Sequence, residues 1–428
     1  MPTAVFWFRN DLRLHDHPAL LEAIAKNDNL LPVYIVDPDN YKGNTLGFSQ
    51  IGPYRKKFLK ESVFSLKQSF QSMGADLIVL SGKSTDLLPE IMQQIRADKL
   101  YCSFDPGFNE QQEITQLQSI LRNHAQEVIC IQNNFLLDTS SLPFSIEQLP
   151  DIFTEFRKKV EKYAQFPLSL AAPTDIPYLL NHHITDNIIP EWETEIESDS
   201  RAVLDFKGGE EEALNRLKDY IWTQDLLKVY KETRNGLIGA DYSSKLSPWL
   251  ALGCISPRYI YAQVKQYESE RIANQSTYWL IFELLWREYF RFLMMKYGKA
   301  IFSTYGIKGH SHKRMENNLK KFQQWVNGET VEPFVNANMN ELRLTGFMSN
   351  RGRQNVASYL VNDLKVNWQW GAAYFESLLI DYDVSSNWCN WNYIAGIGTD
   401  PREDRYFNIR KQSDMYDPDG KYVQLWRN

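Results

Sequence analysis

The hydrophobic period changes once along this chain, and that change calls for two kinds of architecture. Up to about residue 130, apolar runs at Ala4–Phe8, Leu30–Val36, Leu77–Leu80, Leu100–Ser103 and Glu127–Ile131 read as strands. They alternate with helix-patterned stretches at His17–Lys26, Tyr54–Met73, Thr85–Ile95 and Glu110–His124. Strands separated by helices pair in parallel and need both sheet faces covered, so residues 1–131 are expected to form a Rossmann-like α/β domain. No G-x-G-x-x-G follows the first strand, which removes the ordinary dinucleotide fingerprint. Asp37, Pro38 and Asp39 follow the second strand, at the carboxyl edge where such sheets bind ligands. Across 132–200 the pattern fades under Pro143, Pro150, Pro167, Pro173, Pro177 and Pro190, predicting a long ordered connector with one helix over Asp151–Tyr163. From Gly209 onward the periodic segments are helical, so residues 201–428 are expected to form an all-α domain. A chain of 428 residues also exceeds what one core usually supports.

Charge and cysteine usage narrow the function classes. The four cysteines, Cys102, Cys130, Cys254 and Cys389, show neither C-x-x-C pairing nor histidines at ligand spacing, so neither zinc nor an iron–sulfur cluster is expected. They read as reduced thiols. No apolar run is long enough for a membrane span, and Pro2 leads directly into a strand pattern, leaving no signal or transit peptide. The cytoplasm is the expected location. The net charge of −6 argues mildly against a duplex-DNA binder. It conceals an asymmetry: from Arg287 to Arg353 about twelve Lys/Arg stand against about five Asp/Glu, whereas Asp186–Glu212 is acidic.

The segment Thr345–Tyr393 concentrates the chemistry. It runs TGFMSNRGRQNVASYLVNDL, passes through WQW and closes LLIDYDVSSNWCNWNY, placing Asn, Arg, Asp and Trp among helical apolar positions. Polar groups buried among aromatics need partners, either one another in ion pairs or a large, flat, polar-edged ligand. The stretch Gln275–Gly298 is apolar nearly all round yet carries Glu283, Arg287 and Glu288. Glu283, Trp286 and Phe290 share one helical face, while Glu283 and Arg287 stand at pairing distance, four residues apart. In DYSSKLSPWLALGCISPR (241–258), Ser243, Ser244 and Ser247 precede a helix, either as N-caps or as a hydroxyl and N–H cradle for phosphate.

These motifs resemble the photolyase/cryptochrome family, and within it the DASH cryptochromes. The resemblance is carried by VFWFRNDLRLHDHPAL (5–20), TGFMSNRGRQNVAS (345–358), LIDYDVSSN (379–387) and AGIGTDPRE (395–403), and it spans nearly the whole chain. It implies an antenna role for the α/β domain and FAD in the helical domain. By resemblance Tyr230, Ser243, Ser244, Leu246 and Ser247 hold the FAD phosphates, with Lys245 where the family usually has Arg. Asn350, Arg353, Asp381, Asp383 and Asn387 would surround the isoalloxazine, with Arg353 paired to Asp381 and Asn387 facing the ring nitrogen that gains a proton on reduction. Glu283 and Trp286 match the residues that bind the lesion, while Arg234, Asn350, Gln354 and Tyr393 complete the expected DNA contacts.

The resemblance further implies a tryptophan relay through Trp391 and Trp368. Its outer position holds Met315, so an exit through Trp370 or Trp325 is an alternative. Asn109 and Glu110 match folate-contacting residues and favour methenyltetrahydrofolate as antenna, although Asn-Glu at a helix start is also an ordinary cap. Asn336 stands where an acidic residue is usual before A-x-M. Gln354 and Tyr393 follow the DASH pattern, which implies repair of cyclobutane pyrimidine dimers chiefly in single-stranded DNA by a monomer. The alternatives are a blue-light sensor with little repair, or a nucleic-acid-binding flavoprotein without lyase activity. Sensors of this family carry long C-terminal extensions, whereas this sequence ends within about thirty residues of its last motif, which tilts the expectation toward repair.

Overall fold

The computed structural model describes residues 1–187, 192, 196–311, 313–402 and 405–427. Pro190 of the expected connector, Glu403 of the AGIGTDPRE motif and Asn428 lie outside the described residues. Five strands, β1 (Thr3–Phe8), β2 (Asn29–Val36), β3 (Ile78–Ser81), β4 (Lys99–Phe104) and β5 (Glu127–Gln132), form one parallel sheet in the order β3-β2-β1-β4-β5. The helices between them are α1 (Pro18–Lys26), α2 (Pro53–Ser72), α3 (Ser84–Gln94) and α4 (Phe108–Arg122). Each expected strand and helix is present, with ends shifted by a residue or two. Helix α1 starts where Pro18 supplies a preset φ and His17 Nδ1 accepts from the Leu20 amide at 3.1 Å.

Alternation along β1 assigns its two faces to different cores. Ala4, Phe6 and Phe8 belong to the cluster that also holds Leu285, Tyr289 and Phe292, whereas Val5 and Trp7 pack with Leu88, Ile91, Ile114 and Leu117. One sheet face is therefore continuous with the helical half of the molecule. The carboxyl edge after β2 is spent internally: Asp37 caps a 3-10 turn over Pro38–Tyr41, and both Asp37 and Asp39 pair with Lys83.

The connector carries α5 (Phe153–Tyr163) and lays Tyr178 and Asn187 as single parallel bridges against β2 and β3. Beyond it come α6 (Glu210–Lys218), α7 (Tyr230–Thr233), α8 (Ser247–Ala251), α9 (Pro257–Glu270) and α10 (Gln275–Tyr297). They are followed by α11 (Leu319–Val326), α12 (Pro333–Thr345), α13 (Asn350–Ser358), α14 (Trp368–Leu378), α15 (Val384–Ala395), α16 (Ile409–Tyr416) and α17 (Lys421–Leu425). Asn336 closes the loop into α12: its Oδ1 accepts from the Thr330 amide at 2.9 Å and its Nδ2 donates to Thr330 O at 2.8 Å.

The DLRLHDH run locks the two halves together. Arg13, fully buried, donates to the carbonyls of His15, Asp16, Asn133 and Gly253 and to Asn134 Oδ1. Asp16 receives Arg258 Nε at 2.9 Å, and the Glu210 carboxylate in the first turn of α6 accepts the Leu14 and His15 amides at 2.7 and 3.0 Å. Gly253, at φ +65°, lets the Asn10 backbone approach so closely that any Cβ would overlap it. Replacing Arg13 by Met strands several buried acceptors, so Arg13→Met is expected to lower stability by roughly 3–5 kcal/mol. The check is the denaturant midpoint at unchanged m-value.

Candidate functional site

Helix α10 begins with a reciprocal capping box in which Asn274 Oδ1 accepts the Ser276 and Thr277 amides and Thr277 Oγ1 accepts the Asn274 amide. Its Glu283, Trp286 and Phe290 face lines a cavity of about 520 Å³, within the range of cofactor sites. Glu283 pairs with Arg234 and not with Arg287, whose guanidinium donates to Asn134 O at 2.9 Å. Burial pushes the Glu283 carboxyl above its ordinary range, against the opposing pull of Arg234. Trp286 has one face covered by Phe153 of α5, with centroids 3.7 Å apart and planes at 12°, while Tyr393 meets it edge-on at 6.1 Å. Tyr393 is itself held by Arg405, whose Nη2 donates to its hydroxyl at 2.9 Å.

The opposite wall is the loop Ala240–Leu246. The buried Arg216 of α6 gathers its carbonyls, donating to Ser244 O at 3.0 Å and to Ala240 O and Ser243 O at 3.2 Å each. Asp241 Oδ1 completes the guanidinium's shell at 3.1 Å. With these carbonyls turned toward Arg216, the loop is left to present hydroxyls and N–H groups to the cavity, which Tyr230, Ser243, Ser244, Leu246 and Ser247 all line. Helix α8 is capped at Leu246 with no side-chain hydrogen bond, so the serines are not consumed as N-caps.

Helices α12 to α15 supply the remaining wall. Gly346 ends α12 at φ +70°, and Ser349 caps α13 by accepting the Gly352 amide at 2.9 Å. Asn350, Arg353 and Gln354 then face the cavity. Arg353 Nη2 meets Asp381 Oδ2 at 2.8 Å, as expected from the sequence, and its Nε donates to Met348 O. Asp383 caps α15 through the Ser386 amide at 2.7 Å and pairs with Arg291 of α10 at 3.1 Å. Burial opposes ionisation of Asp383, but Arg291 and then Arg287 hold it below the usual carboxylate range. Asn387 donates one N–H to Ala372 O at 3.1 Å, a bond that leaves its carbonyl oxygen available as an acceptor. Asn387 and Trp391 line a second cavity of about 90 Å³ that shares Asn350, Arg353, Asp381 and Asp383 with the first.

The donor set fits FAD. One end offers hydroxyls and the Lys245 side chain for phosphate, and the other offers carboxylate and amide acceptors beside a guanidinium for a planar ring with N–H edges. Asp381 Oδ1 and the Tyr242 hydroxyl are buried in residues that line the cavity and have no partner among the described residues, as expected of groups reserved for a ligand.

Other expected residues lie apart. Trp368 is buried outside both cavities and contacts Trp388 at 5.7 Å. The ring contacts of Trp391 run to Phe375 at 5.2 Å and Trp325 at 6.3 Å, although Gly371, three residues after Trp368, passes directly against the Trp391 indole. Met315 packs at the edge of the same cluster, and Trp370 reaches it through Phe322 at 5.4 Å. Asn109 and Glu110 open α4, whose N-cap Gly107 uses no side chain, so they are not the capping pair. Burial, reinforced by Asp105, raises the Glu110 carboxyl to about 7. Sequence reasoning missed Arg216 and Arg291, whose partners in the site lie 24–28 and 92 residues away along the chain, and Tyr242, whose hydroxyl meets no partner among the described residues. Among the described residues no cluster of His, Cys, Asp or Glu is placed to hold a metal ion, and no helix is long and apolar enough to cross a membrane.

Comparison with known proteins agrees with this geometry. Residues 4–177 match the family described as DNA photolyase, and residues 279–427 match the FAD binding domain of DNA photolyase. Cryptochrome DASH of Synechocystis sp. PCC 6803 is 48% identical over 99% of this chain and 87% of its own length. The crystal structure of a Synechocystis sp. PCC 6803 cryptochrome superposes with a TM-score of 0.96 at 48% identity, covering 100% of this chain and 88% of that one. A bacterial class III photolyase from Agrobacterium tumefaciens superposes at 0.85 with 27% identity, covering 100% and 86%. The matches across both the parallel-sheet and the helical domain place the chain in the photolyase/cryptochrome family, among the DASH cryptochromes, with FAD as its cofactor.

Proposed function

We propose that this protein is a light-dependent lyase that splits cyclobutane pyrimidine dimers, chiefly in single-stranded DNA. The observation that carries the reading is the group of Glu283, Trp286 and Tyr393 on the same cavity as the flavin residues, with Arg234 and Gln354 beside them. FAD supplies the light-driven electron; the protein's residues bind, orient and exclude water. Trp286 offers its single free face for base stacking, and Tyr393 closes the corner. The Glu283 carboxyl, oriented by Arg234, offers a polar group to the hydrogen-bonding edge of a pyrimidine. Arg351 donates to Gln354 Oε1 at 3.0 Å, which leaves the Gln354 amide free to donate. Arg353, Arg291 and Arg287 surround Asp381 and Asp383 with positive charge and favour an electron-rich ring, while Asn387 presents its carbonyl oxygen as an acceptor.

Unstacked single strands suit this protein on physical grounds. A dimer already outside a duplex avoids most of the energy of extrusion, and fewer phosphate contacts agree with a net charge of −6. In this reading residues 1–131 collect light, with methenyltetrahydrofolate near Asn109 and Glu110; 132–200 connect; and 201–428 hold flavin and lesion. Trp391 and Trp368 carry electrons inward, and the protein works as a cytoplasmic monomer.

Illuminating the reduced protein with a dimer-bearing single-stranded oligonucleotide is expected to consume the dimer, and faster than in duplex; no loss of dimer in either would leave the sensor reading in its place. Glu283→Gln should retain flavin, read by absorbance, while turnover drops about tenfold or more. Trp391→Phe should stop photoreduction of oxidised flavin. Trp368→Phe should slow it, and an unchanged rate would assign the exit to Trp325.

A further inference from the structure

Cys102 of β4 and Cys130 of β5 stand opposite one another as partners in the parallel register, with Sγ atoms 3.2 Å apart. They are 28 positions apart in the sequence, so no short cysteine motif announces them. Register partners in adjacent strands have Cα atoms about 4.8 Å apart, inside the range of about 4.4–6.8 Å that a disulfide spans. The two thiols are not equivalent. Cys102 is fully buried in the core that holds Val5 and Trp7, whereas Cys130 lies half-buried on β5, the edge strand of the sheet. A cation is built in beside them. Arg9, just past β1, rests over the ring of Trp7 at 4.7 Å, and Trp7 is the register partner of Cys102 on its other side. Arg9 Nη2 pairs with Glu113 at 3.0 Å, while its Nη1 is buried with no partner among the described residues. The hydrogen bond from Cys102, and then Arg9, hold the Cys130 thiol below its ordinary range against burial. The other cysteines are contrasts: both are buried, and burial pushes Cys254 up to about 11 and raises Cys389 as well.

We propose that Cys102 and Cys130 are a reversible dithiol–disulfide pair oxidised by hydrogen peroxide, with Cys130 as the attacking sulfur and Cys102 as the resolving one. The Cys130 sulfur attacks one peroxide oxygen, the O–O bond breaks, and one water leaves, so that Cys130 carries a sulfenic acid. The Cys102 sulfur then attacks the Cys130 sulfur; the S–O bond breaks, and the hydroxyl leaves as a second water with the Cys102 proton. Two thiols give up two electrons and two protons, and one peroxide becomes two waters. A dithiol reductant returns both electrons and both protons. In a reducing compartment such a bridge is transient and reports an oxidant. Once closed, it fastens the edge strand to β4 and encloses α4 in a covalent loop. The pair lies on the sheet face that packs with Leu88, Ile91, Ile114 and Leu117, away from the helical domain, so the flavin site is left as it was.

The test treats the full chain with hydrogen peroxide, counts free thiols and maps the peptides by mass spectrometry. Two of the four cysteines are expected to disappear into one internal bridge joining the Cys102 and Cys130 peptides. The mass should fall by about 2 Da and recover with dithiothreitol, at unchanged flavin absorbance. Cys130 should be consumed about tenfold or more faster than Cys254 or Cys389. Cys102→Ser should stop at a sulfenic acid on Cys130 that dimedone traps, and Cys130→Ser should leave Cys102 unreacted at the same peroxide concentration. Four thiols that survive, a bridge between other cysteines, chains linked to one another, or loss of Cys254 or Cys389 ahead of Cys130 each overturn the proposal. The mapping of the unmodified sequence decides this by itself if either serine variant fails to fold.

Discussion

Helix α10 is the member on which both halves of this protein depend, because its opposite faces are committed to opposite tasks. On one face the Glu288 carboxylate accepts the Leu136 and Leu137 amides at 3.0 and 3.1 Å, and Arg287 donates to Asn134 O. These bonds tie the start of the connector to the helical domain. On the other face Glu283, Trp286 and Phe290 line the cavity. Arg291 joins the two faces, stacking on Phe135 at 4.5 Å while pairing with Asp383. A helix buried all round carries charge only where each charge has a partner, and here the partners belong to the junction and to the site.

Polar burial of this kind explains why a molecule with so large an apolar core has so many ionic groups inside it. Arg13 and Glu288 satisfy backbone groups of segments that are not regular secondary structure, namely the turn before α1 and the stretch 133–137, and Asp16 accepts the Leu170 amide of the connector. Such segments have no ladder to complete their hydrogen bonds, and side chains supply the missing partners. The result fixes the sheet against the helices with directional contacts where a purely apolar seam would allow sliding.

Local periodicity made the architecture legible. Five strands, four intervening helices and the connector helix follow from spacing alone, since a period of two or of 3.6 residues is a property of neighbouring positions. Motif likeness brought together the Arg353–Asp381 pair and the serine loop, 28 residues apart in the first case. Spacing misled at Glu283, where a partner four residues away looked sufficient; the guanidinium that meets it comes from Arg234, 49 positions earlier. Arg291 and Asp383 are 92 apart, and Phe153 reaches Trp286 from the connector. Nothing in a single sequence marks such encounters, because they depend on how whole elements dock. Lys83, which pairs with Asp37 and Asp39 at the sheet's carboxyl edge, likewise arrives from beyond β3.

The grip of Arg216 on three carbonyls of a single loop bears on how the cofactor comes and goes. A segment fastened at one shared guanidinium cannot loosen residue by residue; its peptide groups swing together or stay put. Departure of whatever those groups clasp then requires a concerted unlatching, so residence is governed by a rare collective event and not by the strength of any one contact. Release of the cofactor would then be slow relative to the breaking of any single hydrogen bond in that loop.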